Sequence, residues 1–333
     1  MNILKLLALD RFTILLIVMV VLATFLPVSG EPAKVFGVIT NIAIAILFFL
    51  HGAKLSRQAI VEGILHWKLH VVVFAFTFAL FPIIGLLAKP VLLPMLGEQL
   101  YLGFLFMCFL PSTVQSSIAF TSVAKGNVAA AVCSASFSNL VGMFITPVLV
   151  SLFIFGQSKH DYDPTSSIIE ITLLLLVPFI AGQLLRPYVF PLMQKAPSIV
   201  KTFDQGTILM VVYGAFSGAV VTGLWQQVSW LTLFNLTLIC SVFLTVIMLL
   251  AWYIPKWLGF NRPDQIAVFF CGSKKTLASG VPMAQILFAG QPLGMIVLPI
   301  MIFHQIQLMV CGVIANYWSK QDTEEYMGEE AAE

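Results

Sequence analysis

Charge is scarce in this sequence. Asp, Glu, Lys and Arg make up 10% of the 333 residues, while hydrophobic residues make up 59% and mean hydropathy is +0.99. Soluble domains carry about a quarter charged residues, so an ordinary water-exposed surface is excluded. A net charge of +2, with no basic cluster interleaved with aromatics, excludes a nucleic-acid partner. The cysteines Cys108, Cys133, Cys240, Cys271 and Cys311 are odd in number, lie in apolar runs and form no CxxC. Neither a disulfide framework nor a zinc site is expected from them, and they read as small packing residues. Acid is also missing where chemistry would need it: no Asp or Glu occurs between Asp264 and Asp322. Cys271, His304 and nearby serines therefore lack the acid that would orient a base, so neither an enzyme nor a cofactor is expected.

What is present is a series of long apolar runs. Ten candidate spans cover approximately 12–28, 34–53, 68–88, 99–125, 127–155, 167–187, 205–224, 229–252, 264–289 and 292–318. Positive charge orients them. With the N-terminus inside, Lys5, Arg11, Lys54, Arg57, Lys68, Lys125, Arg186, Lys195, Lys201, Lys256, Arg262 and Lys320 face the cytoplasm, and only Lys34, Lys89 and Lys159 face outward. This bias predicts an integral protein of a plasma (bacterial inner) membrane with both termini cytoplasmic. Lys5 and Arg11 ahead of an apolar run ending near Ser29-Gly30 also fit a signal peptide, but the charge alternation favours a span. The acidic tail at 319–333 reads as solvated and disordered.

The two remaining lysines, Lys274 and Lys275, lie inside the ninth span. At ~1.5 Å per residue, Lys274 sits ~15 Å beyond Asp264, near the membrane midplane. A charge at that depth costs at least ~2.5–3.5 kcal/mol and normally faces a cavity or pathway. Gly272, Ser273, Thr276, Gly280 and Pro282 surround the pair and predict a helix break there. A second polar interruption, Pro111-STVQSS-Ile118, falls in the fourth span. Ten spans make two sets of five, and an odd number per half inserts the halves with opposite orientation. The fourth span of each half is the broken one. The expected fold is thus all-α, with ten transmembrane helices in two inverted five-helix repeats and breaks in helices four and nine. Half-helix N-termini at such breaks favour an anion, and half-helix C-termini a cation. Ser112, Thr113, Gln115, Ser116, Ser117, Ser273 and Thr276 supply hydroxyl and amide groups there. Ser134, Ser138 and Asn139 recur along the fifth span, either lining the core or gluing helices. His304 lies mid-span in the tenth and either relays a proton, bonds a substrate or simply packs.

PSTVQSSIAFT (111–121), GNVAAAVCSAS (126–136), FCGSKKTLASGVPM (270–283), FHQIQLMVCG (303–312) and HGAKLS (51–56) resemble the bile acid:sodium symporter family, in its SBF-like branch of YfeH type. The resemblance covers roughly residues 10–318. It implies a panel of helices at about 12–53 and 167–224, a core at about 68–155 and 229–318, and an organic anion bound between them. Sodium-coupled members carry an acidic ligand at a position that falls here on Phe269 or Phe270. Their fifth-helix hydroxyl ligands fall on Ala131 and Ala135. The third-helix amide falls on Thr77, which still offers an oxygen, and Ser116 and Ser117 match ligand positions. Sodium, if it binds, would therefore use Ser116, Ser117 and Thr77 in an incomplete shell. A lysine, Lys275 above all, can stand in the ion's place, and a buried ammonium without a fixed counter-ion can exchange a proton. The expected function is a secondary transporter of a small organic anion by alternating access, coupled to protons or independent of sodium. The alternatives are a sodium symporter keeping a partial site, and a non-transporting regulator linked to calcium homeostasis, as in the branch's vertebrate relatives.

Overall fold

A computed structural model describes residues 11–54, 67–155, 176–223, 226 and 228–330, with side chains up to residue 320. Among these residues the chain is helical, with no strand. In order, the helices are α1 (Arg11–Phe25), α2 (Gly30–Lys54), α3 (Trp67–Leu87), α4 (Lys89–Leu96), α5 (Glu98–Phe109), α6 (Val114–Val123) and α7 (Val128–Phe153). They continue with α8 (Leu176–Leu184), α9 (Arg186–Lys195), α10 (Pro197–Val221), α11 (Trp230–Trp257), α12 (Arg262–Gly272), α13 (Leu277–Leu287) and α14 (Leu293–Glu330). By length and apolarity α2, α3, α7, α10, α11 and α14 can each cross a membrane. Spans number eight if the bent pairs α5–α6 (61°) and α8–α9 (86°) each count as one. The other two expected spans fall on α1, of fifteen residues, and on α12 with α13, of eleven each. The first part of the expected sixth span, 167–175, lies outside the described residues.

Two features of the backbone follow directly from prolines. Pro111 has no N–H to continue α5, and residues 110–113 leave the helix, Leu110 and Thr113 in extended conformation, before α6 starts. In α3, residues Phe76–Leu80 form a π-helical turn, and the N–H of Phe81 bonds the Phe76 carbonyl instead of Thr77. Pro82, one residue on, has no donor to offer Thr77 either, so the Thr77 carbonyl is released from the helix. Close helix approach elsewhere depends on glycine. A Cβ at Gly52 would lie 2.0 Å from the Phe179 carbonyl oxygen, and one at Gly182 would lie 1.9 Å from that of Phe49. The backbones of α2 and α8 therefore touch, which no larger residue permits.

The two breaks match. Residues 110–113 and 273–276 are both four-residue non-helical segments between short helices, and they lie against each other. The Thr276 N–H donates to the Pro111 carbonyl at 3.0 Å, and the Thr113 hydroxyl donates to the Lys275 carbonyl at 3.2 Å. The starts of α7 and α12 are also tied together. Asn127 caps α7 through its side-chain oxygen, while its amide donates to Asp264 Oδ1 at 2.7 Å. At the other end of the chain, α14 continues past Lys320 to Glu330, where the sequence suggested a disordered tail. Extending an existing helix needs no new nucleus, and the Gln, Glu and Met residues after Lys320 tolerate helix well.

Candidate functional site

The crossing of the breaks is a nearly saturated polar centre inside an apolar bundle. Ser112 donates its hydroxyl to the Cys271 carbonyl at 2.6 Å, and Ser117 donates to the Phe270 carbonyl at 3.0 Å. The Ser112 N–H reaches Ser138 Oγ at 3.1 Å, and Asn139 donates to the Ser112 carbonyl. Ser273 closes back on the Phe269 carbonyl at 2.6 Å. The last carbonyls of α5 and α12 lack intrahelical donors and carry negative partial charge, so these hydroxyls satisfy groups that lipid cannot.

Both lysines are fully buried. On a regular helix they would diverge by about 100°, but the unwound segment turns both inward, to different destinations. Lys275 Nζ donates to the carbonyls of Thr77 (2.8 Å), Cys108 (2.8 Å) and Leu110 (2.6 Å), and lies 4.1 Å from the Phe81 ring centroid. Lys274 Nζ donates to the Ser116 carbonyl at 3.0 Å and lies 4.1 and 5.0 Å from the rings of Phe120 and Phe270. Aromatic faces attract cations, most strongly when desolvated. Phe270, one of two candidates for the family's acidic position, thus presents a ring to a lysine.

Gln307 holds this arrangement in place. Its side-chain oxygen accepts from the Lys275 N–H at 3.0 Å, and its amide donates to the Lys275 carbonyl at 2.9 Å. His304 Nδ1 sits 2.9 Å from the same amide nitrogen. The sequence shows Gln307 beside His304 but gives it no role; its signal is an amide mid-span in an apolar run, three residues after a histidine. Gln307→Leu is expected to leave the Lys275 N–H without an acceptor, while its carbonyl keeps the Thr113 hydroxyl, and to lower stability by roughly 1–3 kcal/mol. The midpoint of thermal unfolding of purified protein checks this, and an unchanged midpoint would show that the clamp is dispensable.

Beside the crossing is a cavity of about 370 Å³. One wall consists of the first residues of two half-helices, Thr113–Ser116 and Thr276–Ser279, with Asn139 and His304. Their first N–H groups have no intrahelical acceptors. The lining also includes apolar residues, among them Phe12, Leu47, Phe48, Phe179 and Ile208. Lys54, Lys201, Asp204 and His51 also line it, with Lys54 ion-paired to Asp204 and His51 Nε2 4.0 Å from it. A second cavity of about 630 Å³ lies further along the same helices, lined by Thr40 of α2, Gly214 and Gly218 of α10, and Gln285 of α13. Buried Ile44 belongs to the stretch of α2 between the two cavities, and buried Val211 lines the second.

The expected site residues therefore separate into two groups. Thr113, Gln115, Ser116, Asn139, Thr276 and His304 line the smaller cavity. Ser112, Ser117, Ser138, Ser273, Lys274 and Lys275 build the crossing behind it. Thr77 contributes its carbonyl to Lys275, while its hydroxyl bonds the Val73 carbonyl at 2.8 Å. Ser134 stands apart, 2.6 Å from His70 Nδ1.

The sequence profile of the SBF-like CPA transporter family matches residues 10–320. The chain is 55% identical over 312 residues to an uncharacterized protein of Pseudomonas aeruginosa, covering 94% of this chain and 93% of that one. It is 48% identical over 317 residues to YfeH of Escherichia coli strain K12, named as a proposed symporter, covering 94% of each. More distantly, it is 29% identical over 326 residues to sodium/bile acid cotransporter 7-B of Xenopus laevis, covering 94% of this chain and 93% of that one.

Proposed function

We propose, from the premise that this chain belongs to the SBF-like CPA transporter family, that it carries a small organic anion across the membrane by alternating access without needing sodium. Membership makes it an integral membrane transporter and not an enzyme. The observation that carries the proposal is the meeting of two half-helix N-termini at one cavity. Backbone N–H groups and positive helix ends recognise a carboxylate or similar anion, and the apolar part of the lining accepts its hydrocarbon part. The ten spans form two inverted repeats in this reading. Helices α1, α2, α8 and α10 form the panel, and α3, α5–α7 and α11–α14 form the core. Both termini lie in the cytoplasm of a bacterial inner membrane. The two cavities, reached along the same panel and core helices, are the inward and outward approaches to one site.

Sodium fits this crossing poorly. The carbonyls of Thr77, Cys108 and Leu110 already take the Lys275 ammonium, and Phe269 and Phe270 stand where an acidic ligand is needed. We therefore assign the sodium-replacing role to Lys275 and take proton movement as the coupling. The name of the Xenopus relative keeps sodium coupling as the second reading.

Purified protein in vesicles, offered labelled organic anions that include a bile acid, tests both. Saturable uptake driven by an inward proton gradient, and unchanged when choline replaces sodium, is the expected result. Steep sodium dependence would favour the second reading. Unsaturable flux would indicate a channel, and absence of flux for every anion would sink the carrier.

A further inference from the structure

The two lysine cages differ in the property that decides which cation can enter them. The Lys275 ammonium has three N–H groups and meets three carbonyl oxygens. The Lys274 ammonium meets one carbonyl and two aromatic rings. The three oxygens around Lys275 come from two independent departures from helix geometry. The π turn above Pro82 releases Thr77, and the end of α5 before Pro111 releases Cys108 and Leu110. The ammonium that joins them is delivered by a third, the break at 273–276. Lysine does not create these free carbonyls, since their cause lies in the prolines and helix ends. Carbonyl oxygens gathered about one point are the donor set by which proteins replace the hydration shell of an alkali cation.

We infer that the Thr77–Cys108–Leu110 cage is an alkali-cation site in its own right, held in this chain by its own Lys275, and that the Lys274 cage is not such a site. This rests on reading Lys275 as a substitute cation. It goes further in separating the two lysines and in making the site convertible. With the Lys275 side chain removed, three buried carbonyls face vacated space. A sodium ion completed by water satisfies them better than water alone. With Lys274 removed, a single carbonyl between two rings cannot strip water from sodium. A resident lysine cannot leave the cage as a free ion does, so what this site can exchange is a proton.

The test compares unfolding midpoints of the purified full-length protein in sodium, potassium and choline chloride at equal ionic strength, with no transported substrate present. Wild type is expected to show no difference among the salts. Lys275→Ala is expected to be destabilised in choline and raised by about 2 °C in sodium, the shift that roughly tenfold saturation gives a chain of this size. Methylammonium, which mimics the lost group, is expected to act as sodium does. Lys274→Ala should show no preference for sodium. Equal sodium effects in both variants, or none in Lys275→Ala, would overturn the proposal. Should Lys275→Ala fail to fold, Lys275→Ser serves as the second variant, prepared in each cation. If neither variant folds in any of them, the cage cannot accept a free ion, and the proposal is likewise overturned. Because stability alone is read, failure here leaves the anion-carrier reading intact, and absence of flux in wild type leaves the cage result intact.

Discussion

Lys275→Ala is expected to bring uptake to background and to destabilise the protein in sodium-free buffer by about 3 kcal/mol or more. The stability loss follows from three carbonyls left without a donor, at ~1–3 kcal/mol for each buried unsatisfied group. Lipid cannot replace the ammonium at that depth. The sequence points to this residue as a stand-in for an ion. The hydrogen bonds make it a structural strut as well, because its ammonium ties α3 to the end of α5, and its backbone is clamped to α14 by Gln307. Lys274→Ala is expected to cost less, since it gives up one carbonyl bond and two ring contacts. Uptake into vesicles and unfolding midpoints of the two variants measure the difference. Equal destabilisation by both would show that the oxygen count does not govern the site.

Much of this centre was legible in the sequence, and the reasons for the rest are specific. Polar interruptions around Pro111 and Lys274 marked both broken helices because side chains carry that signal. Ser112, Thr113, Ser116 and Ser117 marked the meeting point for the same reason. The oxygens that hold Lys275 are backbone carbonyls of Thr77, Cys108 and Leu110, and any residue type could supply them. Only the prolines that free them leave a trace, and Pro82 reads like any proline within an apolar run until the π turn is seen. The Lys54–Asp204 pair was hidden for another reason. Its partners are 150 residues apart in sequence and meet only when α2 packs on α10. Lys54 alone reads as an ordinary cytoplasmic charge, and Asp204 as an ordinary helix residue.

Locking α1 to α14 is expected to stop transport without unfolding the protein. The two helices belong to different bodies in the proposed mechanism, and they meet where the Thr13 hydroxyl donates to Gln305 Oε1 at 2.9 Å. Relative motion of panel and core must break this contact, because Phe12 of α1 and His304 and Leu308 of α14 line the same cavity and belong to different bodies in that mechanism. Cysteines at Thr13 and Gln305, joined by a short cleavable thiol cross-linker, hold that distance fixed. The five native cysteines are buried, which limits competing reaction. A single hydrogen bond of this kind contributes only about 1 kcal/mol, so each single variant should still transport and the effect should need both cysteines. Uptake is expected to fall to background on cross-linking and to recover when the linker is cleaved, with the unfolding midpoint unchanged or higher while it is closed. Domain motions of this class run on microseconds to milliseconds, and a covalent tether removes them however favourable the substrate gradient. Undiminished flux through fully cross-linked protein would mean that α1 and α14 move as one body. The boundary between the moving parts would then have to be drawn elsewhere.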